Sequence, residues 1–240
     1  EIPVQIADRS IGITNPIASV GQELLRLLDR RFRASDVVEL MTHPVVRQRF
    51  GLDASEVERV SELLIAANAR WGLDGDDQQF VGIEPLGAFT LLDALHRLIA
   101  AAATSASGPD LIGGRTAALP GVTFDDIGPL GKAVMFAQQL HDCCEQLGHP
   151  ATPQEWFAVL RQSLGQLISV NDDEVFWWRA IDRLFDELLD EIRRVGETSA
   201  SVVSQPADLS VIVSSRLLAT KGLPRFLTGR VTVSSFTALC

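Results

Sequence analysis

At 240 residues, of which 46% are hydrophobic and 22% charged, the chain has the material for one large core or two small ones in an ordinary globular protein. Its formal net charge of −10 argues against a surface that grips nucleic acid over its whole extent. The most apolar stretch, 91–103, carries Asp93, His96 and Arg97, and no run of about 18 uncharged apolar residues exists, so no membrane-spanning helix is expected.

Glu1-Ile2-Pro3-Val4 has no basic leader followed by an apolar core, and cytoplasm is the default compartment. Residues 3–7 alternate and predict a short strand. Asn15-Pro16 then opens a helix, with Asn15 as N-cap, Pro16 at the first helical position, and Leu24, Leu25, Leu27 and Leu28 as its apolar face. Ser35 is expected to cap a second helix to about Met41. His43-Pro44 interrupts it, and a short helix to Phe50 ends on Gly51. Asp53-Ala54-Ser55-Glu56 is a capping-box pattern, followed by Val57, Val60, Leu64 and Ala67 along one helical face. That helix runs into Arg70-Trp71-Gly72, read locally as a C-terminal cap: Gly past the last turn, Arg facing the dipole, Trp sealing the end.

Residues 101–126, rich in Ala, Gly, Ser and Pro, predict a long surface connection. Helices resume over 129–147 and 153–169, the second behind the capping box Thr152-Pro153-Gln154-Glu155. The strongest helical pattern covers 172–195. Arg179, Asp182, Arg183, Asp186, Glu187, Asp190, Glu191 and Arg194 form one stripe; Trp177, Ile181, Leu184, Leu188 and Ile192 form the opposite one. A linker over 196–207, a helix over 208–219 and a strand over 229–233 complete the pattern. The fold class is mainly α: a helical body inserted into, or hung from, a small β element. The missing initiator Met and a strand close to Cys240 predict that both ends continue in a longer chain.

Chemistry-bearing patterns are sparse. No GxxxxGK[ST] loop is present, so no nucleotide site is expected. His141-Asp142-Cys143-Cys144-Glu145 with His149 is the one cluster of metal-ligand types, but only one pair is well spaced, and packed cysteines with peripheral histidines is the preferred reading. Asp172, Asp173 and Glu174 suit the first turn of a helix better than catalysis. Trp177-Trp178 could stack on bases; one core and one boundary aromatic fits the helical pattern better. Neither a catalytic triad nor a metal site is expected.

Four groups of residues, in order and spacing, carry a family resemblance. They are Ile6-Ala7-Asp8-Arg9-Ser10, Asn15-Pro16, Val45-Val46-Arg47-Gln48-Arg49-Phe50-Gly51 and Arg70-Trp71-Gly72-Leu73-Asp74. With Glu155-Trp156 and the run from Pro224 to Val233, the chain resembles the gamma subunits of exodeoxyribonuclease V, the RecC family. The resemblance covers nearly the whole chain and is weakest over 80–126. There Ala88-Phe89-Thr90 and His96-Arg97-Leu98-Ile99 replace the family's Thr-Trp-Arg and Asp-Arg-Leu-Leu-Leu-Gly runs.

The resemblance implies an inactivated superfamily 1 helicase. Residues 1–34 would begin a RecA-like (2A-type) element, 35–222 would be a helical 2B-type insertion, and 223–240 would return to the RecA-like element. Where active relatives carry a Thr-x-His…Lys-Gly motif, this chain has Ser235-Phe236-Thr237 and Cys240, without the His and Lys. The implied role is a non-catalytic scaffold and DNA-handling segment of a RecBCD-type helicase–exonuclease. Its partners would be RecB-like and RecD-like subunits and DNA ends, with ATP and Mg bound by the partner subunits and no membrane involved. A 2B region of an active RecB- or AddAB-like helicase and a free-standing helical interaction module remain open alternatives. The DNA-contact candidates are Lys221, Arg225 and Arg230, a basic window in an acidic chain, with Ser235 beyond the closing strand. The three cations could equally pair with a partner's carboxylates.

Overall fold

The computed structural model describes residues 4–6, 15–29, 32–75, 88–104, 111–112, 116–117, 119, 121–171, 175–195, 203–219 and 231–233. Within them the chain is mainly helical. In order, the elements are β1 (Val4–Ile6), α1 (Pro16–Asp29), α2 (Ala34–Thr42), α3 (Pro44–Phe50), α4 (Ala54–Ala66), α5 (Leu91–Thr104), β2 (Leu111–Ile112), β3 (Thr116–Ala117), a 3-10 turn (Phe124–Asp126), α6 (Ile127–Gly148), α7 (Pro153–Leu167), α8 (Val175–Val195), α9 (Pro206–Ala219) and β4 (Val231–Val233). Two compact units share them. One comprises Glu1–Leu25, Pro150–Ala158 and Asn171–Cys240; the other comprises Arg26–His149 and Val159–Val170.

In the first unit β1 and β4 pair in parallel, with Val4 opposite Val231, Gln5 opposite Thr232 and Ile6 opposite Val233. The side chain of Asn15 is fully buried and has two functions. Its Oδ1 accepts from the Ile17 and Ala18 amides at 2.9 and 3.3 Å, satisfying donors that the first turn of α1 leaves open. Its Nδ2 donates to the Trp177 carbonyl in α8 at 3.0 Å. The core here is aromatic: Trp156 meets Phe157 edge-on at 5.7 Å, and Phe157 meets Phe185 of α8 at 5.2 Å. Ile181, Leu184 and Leu188 are buried beside Phe185 and Leu189, as the stripe on α8 predicts. The described part of that helix starts at Val175, so the acidic first turn expected at 172–174 lies outside the described residues. Trp177 and Trp178 are both half-buried, so the expected division into core and boundary aromatic does not hold. Trp177 instead packs on Phe176, with centroids 4.3 Å apart.

In the second unit α5 packs chiefly on α6, and α4 bridges α2, α5 and α6. Val37, Leu40, Val57, Val60, Leu64, Leu95, Leu98 and Leu140 are buried, and Phe50 meets Phe136 edge-on at 5.3 Å. Short-range codes place several helix ends. Gly51 closes α3 in the left-handed conformation at φ 66°. Asp53 and Glu56 complete a reciprocal capping box on α4. In the first unit, Thr152 and Glu155 exchange the equivalent bonds at the start of α7. The cap of α2 differs from expectation: Arg33 is its N-cap, and the Ser35 hydroxyl turns to the Asp36 carboxylate at 3.2 Å. The described residues of 101–126 are not a plain connection. They contain the end of α5, the antiparallel pair β2–β3 and the 3-10 turn.

Arg70-Trp71-Gly72 is not a helix cap. Helix α4 ends at Ala66, and Asn68 at φ 58° turns the chain, its Oδ1 accepting from Arg70 Nε at 2.9 Å. Residues 70–73 then run on as a strap, with Gly72 at a positive φ of 83°. The Arg70 amide donates to Phe89, the Arg70 carbonyl accepts from Ala34, and the Gly72 amide donates to Phe32. The Gly72 and Leu73 carbonyls accept from Leu91 and Leu92 in the first turn of α5. The strap therefore satisfies amides at the starts of both α2 and α5. Phe32 and Phe89, whose carbonyls it meets, have positive φ values of 41° and 66°, costly for residues with a bulky Cβ substituent.

Candidate functional site

Lys221, Arg225, Arg230 and Ser235 lie outside the described residues. Only the strand between the last two is described, and its backbone runs parallel to β1. The sites that can be built are in the second unit, around α4.

The first is a charged frame. The Arg59 guanidinium donates from Nε to Asp126 Oδ1 at 2.8 Å and from one terminal nitrogen to Oδ2 at 3.0 Å; that same nitrogen also donates to the Gly121 carbonyl at 2.9 Å. Asp126 Oδ2 further accepts from the Thr123 amide at 2.7 Å and its hydroxyl at 3.0 Å. These donors, the Arg59 guanidinium foremost, hold the Asp126 carboxyl down at a pKa of about 2 against the opposing effect of burial. A few helical positions away, both oxygens of Glu56 accept from Lys132 Nζ at 2.6 and 2.9 Å, while Glu56 still completes the cap of α4. Asp126 is thus ionised at neutral pH with its lone pairs engaged, and Glu56 is equally committed. The geometry suits clamping α4 to the start of α6, not moving protons.

The cysteine cluster is also architectural. Cys143 and Cys144 are buried, and burial pushes the Cys143 thiol above its ordinary pKa. Its Sγ lies 3.8 Å from the Ser163 carbonyl and 3.6 Å from Gln166 Oε1. His141 stands 3.8 Å from both Asp74 and Glu145. No group of three or more His, Cys, Asp or Glu side chains among the described residues is arranged to hold a metal.

The second feature is a groove of about 370 Å³ between α2 and α4, lined by Val38, Thr42, Arg47, Val57, Glu58 and Ile65 among others. Ile65 is 75% exposed at its edge. Sequence periodicity identifies the buried face of α4 but not this one, because the groove exists only once α2 is laid beside it. The Arg59–Asp126 pair joins residues 67 apart and is equally invisible locally, although Thr123-x-x-Asp126 is a readable capping pattern. No helix among the described residues is long and apolar enough to cross a membrane.

Fold and site together define a mainly helical body whose buried charges serve architecture. The family model of the RecBCD enzyme subunit RecC fourth domain matches residues 14–220, and the chain belongs to that family. RecBCD enzyme subunit RecC of Mycolicibacterium smegmatis is 28% identical over 235 residues, covering 97% of this chain and 21% of that protein. The Mycobacterium tuberculosis RecC subunit is 27% identical over 235 residues, covering 96% and 20%. The Escherichia coli RecC subunit is 27% identical over 169 residues, covering 68% and 14%. The chain spans about a fifth of the length of the mycobacterial relatives.

Proposed function

We propose that this chain is a non-catalytic scaffold and DNA-handling segment of a RecBCD-type, ATP-dependent helicase–exonuclease that processes double-strand DNA ends in recombinational repair. The observation that carries the reading is the family match over residues 14–220. In this reading 35–222 form a 2B-type helical insertion, while 1–34 and 223–240 belong to a RecA-like domain. The parallel register of β1 and β4 supports placing the two ends in one sheet, since parallel strands need a crossover connection and are typical of α/β domains. The partners are RecB-like and RecD-like subunits of a cytoplasmic heterotrimer, and ATP and Mg belong to those subunits.

Lys221, Arg225 and Arg230 are assigned to phosphate contact, with Ser235 as a hydroxyl donor beside them. The test is to replace the three cations by alanine in the assembled complex and measure DNA-end affinity against salt. Each lost phosphate contact should lower the salt slope by about one. An unchanged slope with assembly intact eliminates the DNA role of this window and transfers it to a subunit interface.

A further inference from the structure

Residues 26–33 hold four arginines against one aspartate and end in Arg30-Arg31-Phe32-Arg33; a second cation–aromatic pair follows at Arg70-Trp71. The strap lays the described parts of these stretches side by side. Arg33 bridges Trp71, the Ala34 amide donates to the Arg70 carbonyl, and the Arg70 amide donates to the Phe89 carbonyl. Residues opposite each other in an antiparallel bridge leave it on one face, so the Arg33 and Trp71 side chains are neighbours. Arg33 and Arg70 are exposed, and neither makes an ion pair among the described residues. Arg70 donates from Nε to the neutral Asn68 Oδ1 at 2.9 Å, which orients the guanidinium and leaves its charge uncompensated. Carboxylates of the flanking segments are engaged elsewhere: Asp36 accepts from the Ser35 hydroxyl, Asp74 lies 3.8 Å from His141, and Asp93 lies 3.8 Å from Arg97. The rings are a separate observation. Phe32 and Phe89 both hold positive φ, backbone strain of the kind that gathers at ligand sites, and the Phe89 ring is left 48% exposed. Trp71 is half-buried.

We infer that the strap binds single-stranded DNA, with bases stacked on Phe89 and Trp71 and phosphates held by Arg33 and Arg70. Accessible rings beside unpaired guanidinium groups are the combination a single strand answers, since every base has a π-face and every linkage a negative charge. A duplex keeps its base faces stacked inside and offers the rings nothing. An acidic protein segment answers the arginines alone. Hydrogen-bonded backbones lie about 4.8 Å apart, so the three that carry these side chains fall within roughly 10 Å and one short stretch of strand reaches them. Stacking and phosphate contact read no base edge, so binding here is tolerant of sequence. The inference rests on the proposed DNA-handling role and adds to it a contact in the helical body, apart from the window at 221–230.

The experiment uses the full-length protein assembled with its RecB-like and RecD-like subunits, without ATP. Oligo(dT) carrying 5-iododeoxyuridine is photo-crosslinked, and the captured peptide is identified by mass spectrometry. Single-strand affinity is then measured against salt for the wild type, R33A/R70A, R33K/R70K and Phe89→Leu. Both arginines are exposed and their backbone bonds survive substitution, and unchanged melting checks the fold. The expected crosslink is at Phe89 or Trp71. Losing two phosphate contacts, at about 0.7 each on a single strand, should lower the salt slope by about 1.4 in R33A/R70A. The lysine pair should restore the slope, because lysine supplies the charge without the fork that Asn68 orients. Phe89→Leu should weaken binding about tenfold at an unchanged slope. Crosslinks confined to other segments of this chain, with an unchanged slope in R33A/R70A, overturn the site and uphold the DNA-handling role. Weaker assembly of R33A/R70A with undiminished single-strand affinity also overturns the site and gives the arginines to a subunit interface. No crosslink to any part of this chain overturns both.

Discussion

Replacing Asp126 by asparagine isolates the electrostatic contribution of the frame around α4. The substitution keeps the size of the side chain and one oxygen acceptor but removes the charge that faces Arg59. Two effects compete. Arg59 is 37% exposed and can turn towards water, which would reduce the pair to the few tenths of a kcal/mol typical of surface bridges. The Asp126 side chain, however, is only 7% exposed and gathers four short hydrogen bonds, so its contribution should prevail. Lowering its pKa from 3.8 to about 2 corresponds to about 2 kcal/mol at neutral pH. For a chain of this size that is a fall in Tm of roughly 4–8 °C. Because the folded-state pKa is depressed, the stabilisation is fully present above pH about 4 and is lost as pH falls through about 2. Urea denaturation followed by circular dichroism, at steps from pH 7 to pH 2, should therefore show the wild-type and Asp126→Asn curves converging in acid. A difference below about 0.5 kcal/mol at pH 7, or one that stays constant down to pH 2, would refute the assignment.

Two further outcomes follow from local geometry. Gly51→Ala meets nothing within 4 Å of the new Cβ, so its cost is conformational alone; about 1 kcal/mol is expected by urea denaturation, and less for Gly51→Asn, which tolerates positive φ better. Cys143, buried and with its thiol raised, should resist iodoacetamide at pH 8 in the folded protein and react in urea, read by site-resolved mass spectrometry; rapid native labelling would contradict the packing of α6 on α7.

What could be read from sequence follows the range of the interaction. The capping roles of Asn15, Gly51, Asp53 and Thr152 lie within four residues of each, so those signals are complete in a short window and each stands where expected, whereas the bond from Asn15 to Trp177 is not legible locally. The stripe on α8 is legible because a repeating pattern averages over many positions. Ser35 misleads because its pattern is right but the chain enters α2 extended at Arg33, fixed by the antiparallel bridge between Arg33 and Trp71. Arg70-Trp71-Gly72 misleads for the same reason: glycine after a helix usually ends it, yet Asn68 has already turned the chain and Gly72 serves the strap. Helix α5 combines both kinds of signal: Thr90 caps it locally, its hydroxyl accepting from the Asp93 amide at 3.3 Å, while the Leu91 and Leu92 amides are satisfied by carbonyls from that strap. The groove and the Arg59–Asp126 clamp depend on residues brought together only by helix packing, and nothing local announces them.

The strap has a consequence for how this part of the chain opens. Its hydrogen bonds join residues 32–34, 70–73 and 89–92 into one ladder, so neither α2 nor α5 can unwind from its N-terminus without releasing the other. Fraying, which ordinarily begins at helix ends and is nearly free, is here coupled across about sixty residues of sequence. The amides of Ala34, Arg70, Gly72, Leu91 and Leu92 should then exchange with solvent deuterium at a common rate, slower than those at the C-terminal turns of the same helices. A force applied to the chain on either side of this ladder would meet a single cooperative barrier in place of two helices peeling independently.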